Sequence, residues 1–350
     1  MARRAPKRCF WELTAACDHR CVHCRLRAGP ALPDELGRQE LLGIADQLGA
    51  LGVRLVVLTG GEPLLSPHWQ AVAQRLAQHG VRVRVFTGGS AVTEEVADQL
   101  VELGIGDLAV SVDGPAALHD ALRPLADGGS SFVGALRGAH RARVRGLRTR
   151  AVTTVTATNL HHLPQIYALV RDARFERWQV QLCRPFGRAA DNAEQLTPPA
   201  HAAEAVVRVL VRAAREGEVF APLHCSVGYM TEEEPALRRP RSDTRPVWDG
   251  PDAGLGTLAI DPRGGVRGCA CLPEEFVTAS LRTRDLAAIW ADDTCFPYTR
   301  SWTPEVLAGA CAACALARIC RAGCPSVAFG ATGTIGSNPY CLRTVRQTDQ

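Results

Sequence analysis

Cys17, Cys21 and Cys24 form a CxxxCxxC run directly after the first β-rich stretch, CFWELT at 9 to 14. Three thiolates on so short a loop can hold three corners of a cubane iron-sulfur cluster and leave the fourth iron open, since a fourth Cys would fill it. The same loop could instead hold zinc, with His19 or His23 as fourth ligand. Further along, Cys311, Cys314, Cys320 and Cys324, with Cys341 after a gap, have the spacing of metal ligands. That spacing does not name the metal, and a zinc knuckle stapling a helix-poor segment is the structural reading. Other candidates fall at strand ends: Thr59-Gly60-Gly61-Glu62-Pro63 after the second strand, Ser111-Val112-Asp113-Gly114 after the fourth, and Arg123 beyond. The C-terminal edge of parallel strands is where α/β folds place their sites.

The elements that must position these residues follow from composition and periodicity. A chain of 350 residues, 46% apolar and 22% charged, can bury a sizeable core, which excludes disorder as the main state. A net charge of +4 is too small for an obligate nucleic-acid or polyanion binder. No apolar run reaches membrane length, and MARRAPKRCF lacks a secretory apolar core, so the expected location is cytoplasmic. In that reducing compartment fourteen Cys point to metal rather than disulfides. Strands are predicted at 9 to 14, 54 to 60, 81 to 87, 108 to 114, 150 to 158 and 177 to 183, with amphipathic helices at 40 to 52, 68 to 80 and 93 to 104 among those between them. Six βα units in a row fit either an open doubly wound sheet or a partial barrel. A helix at 199 to 216 closes this part. The charged, Pro-rich stretch 228 to 252 reads as an exposed connector, and 256 to 269 as a hairpin turning at 262 to 265. The expected division is 1 to 220, 221 to 255 and 256 to 350, the last part holding eight of the fourteen Cys.

CxxxCxxC after the first strand, GGEP after the second, SxDG after the fourth and PxGRA (Pro185 to Ala189) after the sixth resemble, in order, the landmarks of the radical S-adenosylmethionine (SAM) superfamily. The resemblance implies a partial (βα)6 barrel with a 4Fe-4S cluster on Cys17, Cys21 and Cys24, its open iron chelated by the amine and carboxylate of SAM. By position, Gly60, Gly61 and Glu62 match the segment holding the methionyl amine, Ser111 the ribose contact and Arg123 the methionyl carboxylate contact. Asp113 shares the Ser111 edge as a further cofactor-side residue, and His23 and Leu182 match adenine-side contacts. One departure is Thr87-Gly88-Gly89, where relatives often carry Thr-Asn-Gly.

Downstream, the hairpin with Cys269, the amphipathic stretch LRTRDLAAIW at 281 to 290 and the Cys-rich tail are similar in order to the SPASM extension of radical SAM enzymes. Members of that group modify ribosomal peptides, mature sulfatases or build peptide-derived cofactors. The resemblance implies one or two auxiliary 4Fe-4S clusters, the outer on Cys311, Cys314, Cys320 and Cys341, the inner on Cys269 and Cys324 with two more. Relatives supply a Cys ahead of the hairpin, near Pro251, but 226 to 268 contain none. Cys225 and Cys271 are substitutes, each read first as a buried or idle thiol, so the inner cluster stands as incomplete, open to substrate or absent. Sulfatase maturases carry an acidic base after the Cys matched by Cys269, so Ala270 argues against that activity. Cys9, Cys183 and Cys295 receive no role.

The chemistry implied is one-electron cleavage of SAM to a 5′-deoxyadenosyl radical that abstracts a substrate hydrogen, followed by oxidation through an auxiliary cluster. The expected substrate is a ribosomal peptide or a peptide-derived cofactor precursor, with electrons from a donor such as flavodoxin or ferredoxin. About eight residues precede the first strand, so peptide recognition is expected from a separate protein or from 228 to 252. The alternatives are oxidation or decarboxylation of a small molecule such as a tetrapyrrole side chain, and a noncatalytic electron carrier or zinc protein. A carrier has no need of GGEP, SVDG and Arg123 at strand ends.

Overall fold

Six parallel strands form where the apolar runs fall: β1 (Arg8–Glu12), β2 (Leu55–Thr59), β3 (Arg82–Thr87), β4 (Asp107–Ser111), β5 (Arg148–Val155) and β6 (Arg177–Leu182). The computed structural model describes residues 5–238 and 247–348. Parallel neighbours need long crossovers, and α1 (Arg38–Ala50), α2 (Trp69–Gln78), α3 (Glu94–Glu102), α4 (Ala116–Leu122), α5 (Ser131–Val144) and α6 (Leu163–Asp172) lie in them. Trp11, Leu58 and Val85 pack into one buried core with Leu48, Leu76 and Leu100 of the first three helices. The opposite faces carry Phe10, Thr59, Phe86, Ser111, Thr154 and Gln181, one from each strand, and these line two adjoining cavities. Walls drawn from all six strands require a curled sheet, so the fold is a partial (βα)6 barrel, with β1 and β6 unpaired to each other. No helix of the described residues is long and apolar enough to cross a membrane.

The expected hairpin forms as β7 (Thr257–Ile260) and β8 (Gly265–Arg267), with β9 (Ala279–Ser280) beside it. Asp261 sets the turn, its Oδ1 accepting from the N–H groups of Arg263 and Gly265 at 2.9 and 2.8 Å. β7 pairs parallel with β1, from Arg8 opposite Thr257 to Trp11 opposite Ile260. The Cys-rich part therefore continues the barrel sheet, giving nine strands in the order β6-β5-β4-β3-β2-β1-β7-β8-β9.

The described part of 228 to 252 is packed where exposure was expected. Tyr229, Glu234, Leu237 and Trp248 are buried. The Glu234 carboxylate accepts from the N–H groups of Met230 and Trp248 at 2.6 and 2.7 Å and pairs with Arg238, so the charges satisfy one another inside. Residues 239 to 246 of that stretch lie outside the described residues. The helix expected at 281 to 290 runs only over Leu286–Ala291, because the backbone before it is still tied to the hairpin, Leu281 N donating to Gly264 O at 2.8 Å and Thr283 and Arg284 N to Ser280 O at 3.1 and 3.0 Å.

Glu12, at the end of β1 and fully buried, joins the two cysteine-bearing parts. Both its oxygens accept from Arg267 Nη2, at 2.7 and 2.8 Å, and it pairs with Arg25, next to Cys24. Burial works against the Glu12 charge, and the two guanidinium groups outweigh it, holding the carboxyl below its ordinary value. Removing one member of a buried ion pair leaves the other uncompensated. Glu12→Gln is expected to lower the unfolding free energy by about 3 kcal/mol, read by chemical denaturation. An unchanged transition would show that the triad carries no stability.

Candidate active site

The loop holding Cys17, Cys21 and Cys24 is clamped at its base and its tip. At the base, Leu13 N donates to Thr59 O at 2.9 Å, and Gly61 N and Glu62 N donate to Thr14 O and Ala16 O, each at 2.7 Å. A Cβ on Gly60, whose φ is +137°, would stand 2.4 Å from Thr14 O, and one on Gly61 would stand 2.2 Å from Ala16 O. The Gly-Gly pair is thus what lets the cysteine loop lie against the end of β2. The PxGRA segment clamps the tip. Arg188 donates from Nη1 to Cys21 O and from Nη2 to Ala28 O, at 2.9 and 2.8 Å, while its N–H reaches Cys24 O at 2.7 Å.

A cavity of about 190 Å³ opens behind this loop. It is lined by the three Cys and by His23, Gly60, Gly61, Glu62, Ser111, Arg123 and Leu182, so the structure brings these expected residues together. Asp113 is the exception, buried behind the wall. Its Oδ2 pairs with Arg123 Nε at 2.5 Å and lies 3.1 Å from His23 Nε2, while Oδ1 accepts from Thr154 N at 2.7 Å. Burial opposes its charge, and Arg123 and His23 hold the carboxyl well below the usual range. Asp113 therefore orients two cavity side chains from behind the wall, being fully buried and outside the cavity lining.

Burial pushes the Cys17 thiol up to about 12 and Cys21 up to about 11, with neighbouring negative charge adding to both. The cation near them is Arg123, whose Nη1 is 3.7 Å from Cys21 Sγ. Thiols so placed ionise readily only against a cation brought in among them, which is the environment of an iron or zinc ligand. The two histidines that could complete a zinc site each meet a carboxylate through one ring nitrogen, His19 Nδ1 with Asp18 Oδ1 at 2.6 Å and His23 Nε2 with Asp113 Oδ2 at 3.1 Å. The other nitrogen of each is buried without a partner, so the geometry at this loop suits iron or zinc. His19 also explains the departure at Gly88, since a Cβ there would lie 2.4 Å from its ring. Burial raises the Glu62 carboxyl to about 7 although Thr87 Oγ1 and Gly88 N donate to it at 2.8 Å each.

The first cavity shares Arg25, Thr59, Phe86, Gln181 and Cys271 with a second chamber of about 330 Å³, on whose walls Cys225, Cys269, Cys271 and Cys324 all stand. All four are free thiols: Cys271 N donates to Cys269 Sγ at 3.4 Å, and burial with neighbouring thiols pushes Cys269 and Cys324 well above the ordinary thiol value. Sequence reasoning named Cys225 and Cys271 as substitutes but read each first as a buried or idle thiol, because spacing alone does not bring either to Cys269 and Cys324. Tyr229 is the piece that brings Cys225 in. Its hydroxyl donates to Cys225 O at 2.6 Å and accepts from Cys324 N at 3.2 Å. The ring stacks edge-on to Trp248 at 4.9 Å, and Trp248 Nε1 donates to Cys320 O at 2.9 Å. Farther out, Cys311, Cys314, Cys320 and Cys341 form a third group whose thiols repel one another's charge, with burial raising Cys320 to about 12.

A partial barrel with a three-thiol loop at the C-terminal edge of its strands is the build of the radical SAM enzymes. The chain belongs to that superfamily. The radical SAM superfamily pattern matches residues 11–170. The chain is 31% identical over 348 residues to the mycofactocin maturase MftC of Mycolicibacterium smegmatis, covering 97% of this chain and 83% of that one. It is 28% identical over 348 residues to an AdoMet-dependent heme synthase of Methanosarcina barkeri, covering 97% of each. The solved structure of native anSMEcpe with bound AdoMet and Cp18Cys peptide shares the fold at TM-score 0.72 and 14% identity, over 97% of this chain and 94% of that one. Membership in the superfamily implies a 4Fe-4S cluster and SAM as cofactors.

Because the Tyr229 hydroxyl bridges the Cys225 and Cys324 backbones, Tyr229→Phe is expected to cost about 1 to 3 kcal/mol of stability through loss of both hydrogen bonds. Chemical denaturation checks this, and an unchanged midpoint would deny the hydroxyl a structural role.

Proposed function

We propose that the chain reductively cleaves SAM at the three-thiol loop and oxidises a ribosomal peptide or a peptide-derived cofactor precursor, aided by two auxiliary clusters in a SPASM-type region. The observation that carries this reading is the shared wall between the two chambers. A substrate seated in the barrel would lie between the three-thiol loop and the four inner thiols. When bound, the cluster and SAM supply the one-electron chemistry that removes a substrate hydrogen.

The protein residues hold, orient and exclude water. Cys17, Cys21 and Cys24 ligate three irons. Gly60, Gly61 and Glu62 receive the methionyl amine, Ser111 the ribose, and Arg123 the methionyl carboxylate. His23 and Leu182 flank the adenine. Asp113 acts as a positioning residue behind Arg123 and His23, given its contacts. Cys225, Cys269, Cys271 and Cys324 form the inner ligand set, and Cys311, Cys314, Cys320 and Cys341 the outer one. A low-potential carrier such as flavodoxin or ferredoxin supplies the electron, and a separate protein presents the peptide.

A second reading, decarboxylation or oxidation of a tetrapyrrole side chain, is favoured by the end-to-end match to the heme synthase. The inner chamber is also lined by the apolar side chains of Phe10, Phe86, Leu223 and Trp248. Anaerobic assays with candidate precursor peptides and with a propionate-bearing tetrapyrrole separate the two by the mass change of the product. Turnover of the tetrapyrrole alone would replace the peptide reading.

Two predictions follow from the ligand sets. Anaerobically reconstituted protein is expected to bind about twelve irons and matching sulfide per chain, because three complete sets call for three cubanes. Stoichiometric zinc without broad visible absorption would contradict the cluster assignment. Arg123→Ala is expected to weaken SAM binding by about 1.5 to 3 kcal/mol, roughly ten- to a hundredfold in Kd, through loss of a charge-assisted hydrogen bond. An unchanged Kd by equilibrium binding would remove Arg123 from the SAM site.

A further inference from the structure

Five arginines line the two chambers: Arg8, Arg25, Arg123, Arg184 and Arg238. Four have carboxylate partners, Arg8 with Asp252, Arg25 with Glu12, Arg123 with Asp113 and Arg238 with Glu234. Arg184, just past the end of β6, has none among the described residues, although it is buried with 8% of its surface exposed. Its Nη1 donates only to Leu182 O, at 3.3 Å, and its Nε is buried without any partner. A guanidinium placed this way is destabilised by its lost hydration unless an anion stands beside it.

Arg184 lines the first cavity together with Cys271, the thiol of the inner four that stands on the wall shared with the second chamber. Cys271, Cys324, Cys225 and Cys269 all act on Arg184, and although burial pulls its pKa down, their combined charge raises it above the ordinary guanidinium value. Four thiolates around a 4Fe-4S core carry a net charge of about −2, and about −3 once the core is reduced. A fixed cation on the wall that Cys271 shares therefore stabilises the reduced form more than the oxidised one. We propose that Arg184 is the built-in counter-ion of the inner four-thiol set and raises its reduction potential, so that the set can accept an electron from substrate. This rests on the inner ligand set assigned above. Arg184 is a positioning residue, acting on electron transfer through the charge it fixes.

The test uses Arg184→Gln and Arg184→Lys, each in a chain whose Cys17, Cys21 and Cys24 are Ala, so that only auxiliary clusters remain. Iron and sulfide are counted, and EPR-monitored redox titration reads the midpoints. With Gln, one auxiliary midpoint is expected to move to more negative potential by at least a tenfold shift in the oxidised-to-reduced ratio, about 59 mV for one electron. The other midpoint should stay in place, and Lys should recover most of the shift. Loss of one cluster with Gln but not with Lys equally supports a charge requirement. Two unchanged midpoints with Gln would overturn the proposal while leaving the inner cluster standing, the more so if the otherwise intact Arg184→Gln chain shows a raised KM for a carboxylate-bearing substrate. Loss of one cluster with both substitutions would also overturn it, since charge alone would not be what matters. Absence of a second auxiliary cluster in the parent chain would overturn the ligand reading and Arg184 with it.

Discussion

The Glu12 carboxylate is the joint on which the rest of the site depends. It sits at the end of the first strand, takes Arg25 from the three-thiol loop on one side and Arg267 from the hairpin on the other, and is fully buried. Each arginine is within two residues of a cysteine, Arg25 beside Cys24 and Arg267 just before Cys269. Desolvation makes this arrangement unforgiving, because none of the three charges can lose its partner cheaply. One carboxylate thus fixes the separation between the loop that begins the chemistry and the segment that would complete it.

Charge pairing also organises the surrounding walls. Asp113 fixes Arg123 against Cys21, and Glu234 fixes Arg238 under the inner chamber. These pairs keep cations close to buried sulfur while the barrel excludes water, which strengthens every electrostatic effect inside. Thiols held near 11 or 12 by burial are unsuited to standing free and ionised at neutral pH. They suit a site whose positive charge arrives with metal.

Much of this was legible in the sequence. Apolar patterning placed all six barrel strands to within a few residues: β4 reads as a nearly continuous buried run, while β3 and β6 alternate, one face in the core and the other toward the cavities. The CxxxCxxC, Gly-Gly and PxGRA landmarks converge in space as expected, and their packing gives the reason: Gly60, Gly61 and Arg188 hold the cysteine loop itself. What sequence could not show was long-range pairing. Nothing local in GTLAID signals that β7 will join β1, and the Tyr229 hydroxyl bridges the backbones of Cys225 and Cys324 across almost a hundred residues of sequence. The stretch 228 to 252 misled because its composition is charged, whereas Glu234 and Arg238 cancel inside the fold. A single hint was available in Cys269-Ala-Cys271, two thiols one residue apart at the end of a hairpin.

The central claim is an asymmetry of ligation: three thiols at the barrel mouth, which leave one iron open, and four at each of the other two sets, which leave none. Mössbauer spectroscopy of protein loaded with iron-57, recorded with and without SAM, tests it most directly. The account predicts that SAM alters the signal of about one iron in twelve and leaves the others unchanged. A spectrum indifferent to SAM, or a change spread over irons of more than one cluster, would contradict it.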